Sequence, residues 1–148
     1  IRYLEKNKSV TVGYRTAEEL KMLIGTAIAD GRNFMADVRG RSTETGLPVE
    51  ADVDSQEIRT ALEEPLDSIV HAVVSILEKT PPELAADIAD HGIVLTGGGA
   101  LLDGFDRLIA RATGMAAYLC DTPLLSVANG AGKALAEMDR LKDSYYES

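Results

Sequence analysis

Leu20, Leu23, Ile24, Ala27 and Ile28 recur at helical spacing behind Thr16, and Glu19 stands three residues after that threonine. The pattern predicts a helix that starts at Thr16 with a capping box, buries one face and ends before Asp30-Gly31. Ahead of it, residues 1 to about 8 read as the last turns of a helix and Ser9 to Gly13 as a short β-prone link. Phe34, Ala36 and Val38 alternate, as do Val49, Ala51 and Val53, with polar Ser42 to Pro48 between them. This is the signature of two antiparallel strands joined by a loop. Asp54 with Glu57 predicts a second capping box and a short helix that stops at Pro65, where the ring cannot continue the hydrogen-bond ladder. A boundary near that point divides the chain into residues 1–62 and residues 63–148.

Leu66, Ile69, Val70, Val73 and Leu77 line one face of a further helix, ended by Pro81-Pro82, and a short helix then closes at His91 with Gly92 as its C-terminal cap. Ile93 to Thr96 is short and β-favouring enough for a buried strand, and it runs into three glycines, Gly97, Gly98 and Gly99. Leu102, Phe105, Leu108, Ile109 and Ala112 give the next helix its inner face, Gly114 ends it, and Met115 to Cys120 reads as a second buried strand. Leu124, Val127, Ala128, Ala131, Leu135 and Met138 form the expected buried stripe of a last helix. Helices linking strands in this order predict a parallel sheet, and hence an α/β fold.

Glycines at the end of a strand let the backbone turn with positive φ or let another group approach closely, and ligands of open α/β sheets bind at such strand ends. The glycines alone fit a ligand cradle and an empty strand-to-helix turn equally well. A dinucleotide fingerprint starting at Gly97 would need glycine at Leu102, and a phosphate loop ending at Gly132-Lys133 would need Ser or Thr at Ala134. Neither pattern is met.

The 148 residues, 45% of them hydrophobic, can form a real core, and a net charge of −9 argues against a nucleic-acid partner. A lone cysteine, Cys120, cannot make an internal disulfide, and no apolar run is long enough to span a membrane, so a reducing cytoplasm is expected. No signal peptide is recognisable, and the chain opens at Ile1 without an initiator Met, as if cut from inside a helix, which predicts a fragment. His71 and His91 have nothing at metal-ligand spacing and read as structural, as does Cys120. Glu18 and Lys21 lie three apart on one helix face, where a plain ion pair contributes roughly 0.2–0.5 kcal/mol and implies no function. Gly130 and Gly132, beside Ala128 and Ala131, each cost a helix about 1 kcal/mol relative to alanine, which suggests a close helix crossing or a hinge.

Taken together, IVLTGGGALLDGFDRL, KTPPELAADI, RTAEELK, VRGRSTETGLP and SVANGAGKAL resemble the C-terminal half of the MreB/Mbl family of bacterial actin-like proteins. The resemblance implies an actin-like ATPase lobe, ribonuclease H-like and partial, with residues 1–62 as a smaller α+β subdomain inserted in it. By the same resemblance Gly97, Gly98 and Gly99 match the adenosine motif, Glu18 and Lys21 the acidic and basic pair on the other side of adenine and ribose, and Gly130 and Ala131 a hinge where connecting helices cross. Two departures stand out: Tyr14, where the family usually has Glu, and the last strand, MAAYLC. The implied cofactor is ATP, with Mg2+ held mainly by a lobe outside this sequence, together with the phosphate loops, the hydrolytic residue and the membrane-binding segment. The implied protein polymerises into filaments at the inner face of the cell membrane, alongside cell-shape and cell-wall synthesis proteins. A sugar-kinase-like phosphotransferase lobe of the same superfamily and a nucleotide-free interaction module are the alternatives.

Overall fold

The computed structural model describes residues 1–138; the expected second unit, 63–148, runs past them into positions outside the described residues. In chain order the elements are α1 (Arg2–Lys8), β1 (Val10–Thr11), α2 (Tyr14–Ile24), β2 (Met35–Ser42), β3 (Pro48–Asp54), α3 (Ser55–Lys79), α4 (Pro82–His91), β4 (Ile93–Leu95), a 3-10 turn (Gly98–Leu101), α5 (Phe105–Thr113), β5 (Ala117–Leu119) and α6 (Ser126–Ala136). β1, β2 and β3 form an antiparallel sheet in that order, and β4 pairs with β5 in parallel.

The hairpin forms as its alternation predicts: Val38 pairs with Ala51 and Ala36 with Val53, so the apolar set shares one face. That face closes a first core with Leu4, Val10, Val12, Leu20, Ile24 and Ile58. A second core gathers Ala27, Leu66, Ala100, Phe105 and Ile109 under the parallel pair, and Leu62 packs against both.

Four local expectations are corrected. α2 begins at Tyr14 on Gly13 with no side-chain cap: Ala17 N donates to Gly13 O at 3.0 Å, which places Thr16 inside the first turn, and Glu19 accepts from Arg15 Nε at 2.8 Å. The same helix ends at Ile24 rather than near Asp30, because residues 25–28 are drawn into contact with Asp103: Ala27 N donates to Asp103 O at 2.7 Å, and Thr26 bridges to Asp103. Ala27 and Ile28 are buried as expected, but outside the helix. Pro65 does not stop a helix: α3 runs through it for 25 residues, opened by the expected Asp54–Glu57 capping box. A proline inside a helix removes one hydrogen bond and crowds the preceding turn, yet Ile58, Leu62, Leu66 and Val70 continue the inward face on either side of it. The chain therefore passes from the first core to the second along one helix. Finally, the strands and last helix expected to be buried are largely open: Val94 is 54% and Val127 85% exposed, and α6 has no buried residue.

Gly104, between the 3-10 turn and α5, has φ +71°, and a Cβ there would stand 2.5 Å from Cγ1 of the buried Ile28. Gly104→Ala is expected to lower the unfolding free energy by at least about 1–2 kcal/mol, the cost of an L residue in the left-handed region. Urea titration measures this directly, and an unchanged midpoint would show that the turn can take up another backbone geometry.

A candidate ligand cleft between the glycine turn and helix α2

Two elements far apart in sequence face each other across a cleft of about 740 Å³, a size typical of small-molecule sites. α2 supplies Glu18, Lys21 and Met22; the turn after β4 supplies Thr96, Gly98, Gly99 and Leu101; α3 forms the floor with Leu62, Pro65, Leu66 and Ile69. Glu18 and Lys21 are in register to meet each other as well, with Lys21 Nζ 2.7 Å from Glu18 Oε2 and both side chains more than a third exposed. The wall is apolar apart from Glu18, Lys21, Thr96 and Asp103.

The three glycines have separate duties. Gly97 turns the chain at φ +81°, a conformation reserved almost entirely for glycine, and its amide donates to Pro123 O at 3.0 Å. It is not on the cleft wall; Gly98 and Gly99 are. At Gly99 a Cβ would meet nothing within 4 Å, and at Gly98 only Leu124 Cδ2 at 3.5 Å. Neither is required by the packing of the chain itself, and the space beside their backbone is open to the cleft. The α-helix that follows starts only at Phe105, after the 3-10 turn, so its N-terminus does not open directly from the glycines.

Gly130 and Ala131 lie on exposed α6 and do not line the cleft; a Cβ at Gly130 or Gly132 would meet nothing within 4 Å, so the close helix crossing is not made among the described residues. His91 Nδ1 lies 2.9 Å from Asp87 O at a helix end, and His71 is exposed. Cys120 lies just past β5, half-buried rather than buried in a strand. Hydrogen bonding to Ser126, and then to Thr96, holds its thiol below the ordinary cysteine range.

Sequence reasoning missed two parts of the site. The α3 floor was hidden by the expectation of a break at Pro65, although the spacing of four through Ile58, Leu62, Leu66 and Val70 was there to be read. No sequence pattern assigns Asp103 a role, yet its Oδ2 accepts from Thr26 Oγ1 at 2.8 Å and from Arg32 N at 2.9 Å, tying the end of α2 to the loop behind the glycine turn. No spacing rule predicts that contact, which crosses 77 residues.

Residues 1–143 match the MreB/Mbl protein family. The chain belongs to that family. Among MreB/Mbl relatives, it is 40% identical over 141 residues to the cell shape-determining protein Mbl of Bacillus subtilis (strain 168), covering 95% of this chain and 42% of the relative. It is 45% identical over 139 residues to the cell shape-determining protein MreB of Escherichia coli (strain K12), covering 94% of this chain and 40% of the relative. Among solved MreB structures, MreB 5 of Spiroplasma citri bound to AMPPNP superposes with a TM-score of 0.89 at 30% identity, over 97% of this chain and 43% of that one. The form of MreB5 bound to ADP superposes with a TM-score of 0.90 at 30% identity, over 96% of this chain and 43% of that one.

These extents correct the expectation of a C-terminal half folded as a partial lobe. The MreB/Mbl match runs along nearly the complete chain, and what it supports is an actin-like α/β fold of the MreB type over that length. Its physical counterpart is the continuity described above, in which α3 and Asp103 bind the two cores together. The chain spans about two fifths of the length of the MreB and Mbl proteins it matches.

Proposed function

We propose that this chain carries the nucleoside-binding cleft of an actin-like cytoskeletal protein that binds ATP and polymerises into membrane-associated filaments directing cell shape and cell-wall growth. The observation that carries the reading is the meeting of Glu18 and Lys21 with Gly98 and Gly99 on one cleft, although 77 residues separate Lys21 from Gly98. The solved relatives bound to AMPPNP and to ADP, two adenine nucleotides, support it. In this reading the bare backbone of Gly98 and Gly99 lies against the nucleoside, the aliphatic floor of α3 excludes water from the base, and Glu18 and Lys21 hydrogen-bond its polar edge. Gly97 shapes the turn, and Gly130 and Ala131 serve as a hinge. Residues 1–62 and 63–148 are read as two subdomains that share α3.

The fit is to the nucleoside end of ATP. Among the described residues no group of three or more His, Cys, Asp or Glu is placed to hold a metal ion, and Mg2+ is proposed to be held mainly by a lobe outside this sequence. Among the described residues no helix is long and apolar enough to cross a membrane, and the proposed location is the cytoplasm at the inner face of the cell membrane. The proposed partners are further copies of the protein and cell-shape and cell-wall synthesis proteins.

Glu18→Ala and Lys21→Ala in the native protein test the assignment. Each is expected to weaken ATP binding by about 1 kcal/mol or more, the contribution of a hydrogen bond to ligand involving a charged group. Calorimetric titration distinguishes this from losses of a few tenths, which would leave the two residues as an exposed helical ion pair and nothing else.

A further inference from the structure

We propose that the Thr96 hydroxyl is a positioning group of the cleft: it fastens the glycine turn to the loop leading into α6 and so sets where Gly98 and Gly99 meet the nucleoside. The inference rests on the nucleoside reading of the cleft. Thr96 is the last residue before the glycines, and its Oγ1 donates to Ser126 Oγ at 2.7 Å, with Pro123 O at 3.2 Å. Ser126 in turn donates to Thr122 O at 2.9 Å, and the Cys120 thiol can donate to Thr96 Oγ1 at 3.4 Å. A hydroxyl has one proton to give. One arrangement that meets this limit runs from the thiol to Thr96, to Ser126 and on to the Thr122 carbonyl; the sulfur also lies 3.2 Å from Ser126 Oγ, where either atom can donate, and Thr96 is the link between the strand side and the loop side.

Two features join this chain of bonds to the cleft. Pro123 O also accepts from Gly97 N at 3.0 Å, so the turn and the loop share one carbonyl. Leu124 lies between Pro123 and Ser126, lines the cleft, and comes within 3.5 Å of the Cβ position of Gly98. Both the bare backbone and the leucine beside it are thus held from the same hydroxyl. Glycines have no side chains with which to pack, and a Cβ at Gly97 or Gly99 would meet nothing within 4 Å, so hydrogen bonds rather than packing keep this turn in one shape.

The test is ATP titration of the native protein with Thr96→Val, Thr96→Ser, Ser126→Ala and the Thr96→Val/Ser126→Ala double variant, each checked for its thermal midpoint. Thr96→Val keeps the shape of the side chain and removes the hydroxyl, and it is expected to weaken ATP binding about fivefold to tenfold, as loss of one positioning hydrogen bond implies. Thr96→Ser restores the affinity. Ser126→Ala, which is off the cleft wall, lowers it by a similar factor, and the double variant is no worse than either single one because both break the same link. A wild-type protein that binds ATP beside a Thr96→Val variant of equal affinity overturns the positioning role and leaves the nucleoside reading standing. Failure of Thr96→Ser to restore binding, or additive losses in the double variant, also overturns it. A wild-type protein that binds no ATP overturns the nucleoside reading, and this inference with it.

Discussion

Valine in place of Gly98 is expected to abolish measurable ATP binding by the native protein, a drop of about a hundredfold or more and thus about 2.8 kcal/mol, while the protein still unfolds in one cooperative transition. The turn residue has no positive φ, and the first carbon of a side chain there would touch only Leu124 Cδ2, at an ordinary 3.5 Å. The folded chain therefore has room for the substitution, and the volume it takes is cleft volume. Gly97 is a poorer position for the experiment, since its φ of +81° means that any side chain disturbs the backbone as well as the ligand. Calorimetry of the Gly98→Val protein against the wild type reads the result, and equal affinities would remove the glycine turn from the site.

Asp103→Ala is expected to lower the unfolding free energy by about 2–4 kcal/mol, because it leaves the Arg32 amide and the fully buried Thr26 hydroxyl short of an acceptor, at about 1–3 kcal/mol for each group left unpaired. Thr26 can turn its hydroxyl toward Ile28 O at 3.2 Å, which keeps the loss below the sum of the two. Burial acts against ionisation of Asp103, but the Arg32 amide, the Thr26 hydroxyl and the guanidinium groups of Arg32 and Arg107 outweigh it and hold the carboxyl below the usual range. A group whose folded value is depressed stabilises fully above its unfolded value and loses that contribution as the pH falls through the folded one. The difference between wild type and variant should therefore be constant near neutrality and shrink as the medium is acidified below the ordinary carboxylate range. Urea titrations across that interval test both size and direction; a gap that widened in acid would mean the carboxyl is protonated in the fold.

What could be read from the amino acids was whatever depends on near neighbours. The hairpin, the Asp54 capping box, the glycine C-caps at Gly92 and Gly114 and the parallel pairing of β4 with β5 follow from alternation, short-range hydrogen bonding and connection length. The misreadings share a cause of the other kind. Thr16 with Glu19 has the form of a capping box, but the helix begins at Tyr14, so Thr16 lies inside its first turn and Glu19 meets Arg15 instead. Proline disfavours a helix locally, whereas α3 is carried past Pro65 by the burial of Leu66 and the packing of Leu62 and Val70 on the two cores. For α6 the apolar spacing was seen correctly, but periodicity says that a face favours burial and is silent on what covers it; Leu135 is 68% exposed. At the cleft, the glycines and the Glu18–Lys21 pair were each identifiable as residues, while their being opposite one another is a property of the tertiary fold alone.

α3 also has a mechanical consequence. At 25 residues it is about 37 Å long, and it contributes Ile58 to one core and Leu66 to the other with Leu62 touching both. A strut of that kind cannot be extracted from one end without loosening the other. Any opening or closing of the cleft that shifts the α2 wall against the glycine turn must therefore pivot about the strut or flex it at Pro65, where one rung of its ladder is missing and which itself forms part of the cleft floor. The missing rung of α3 thus lies directly beneath the space where a ligand would act.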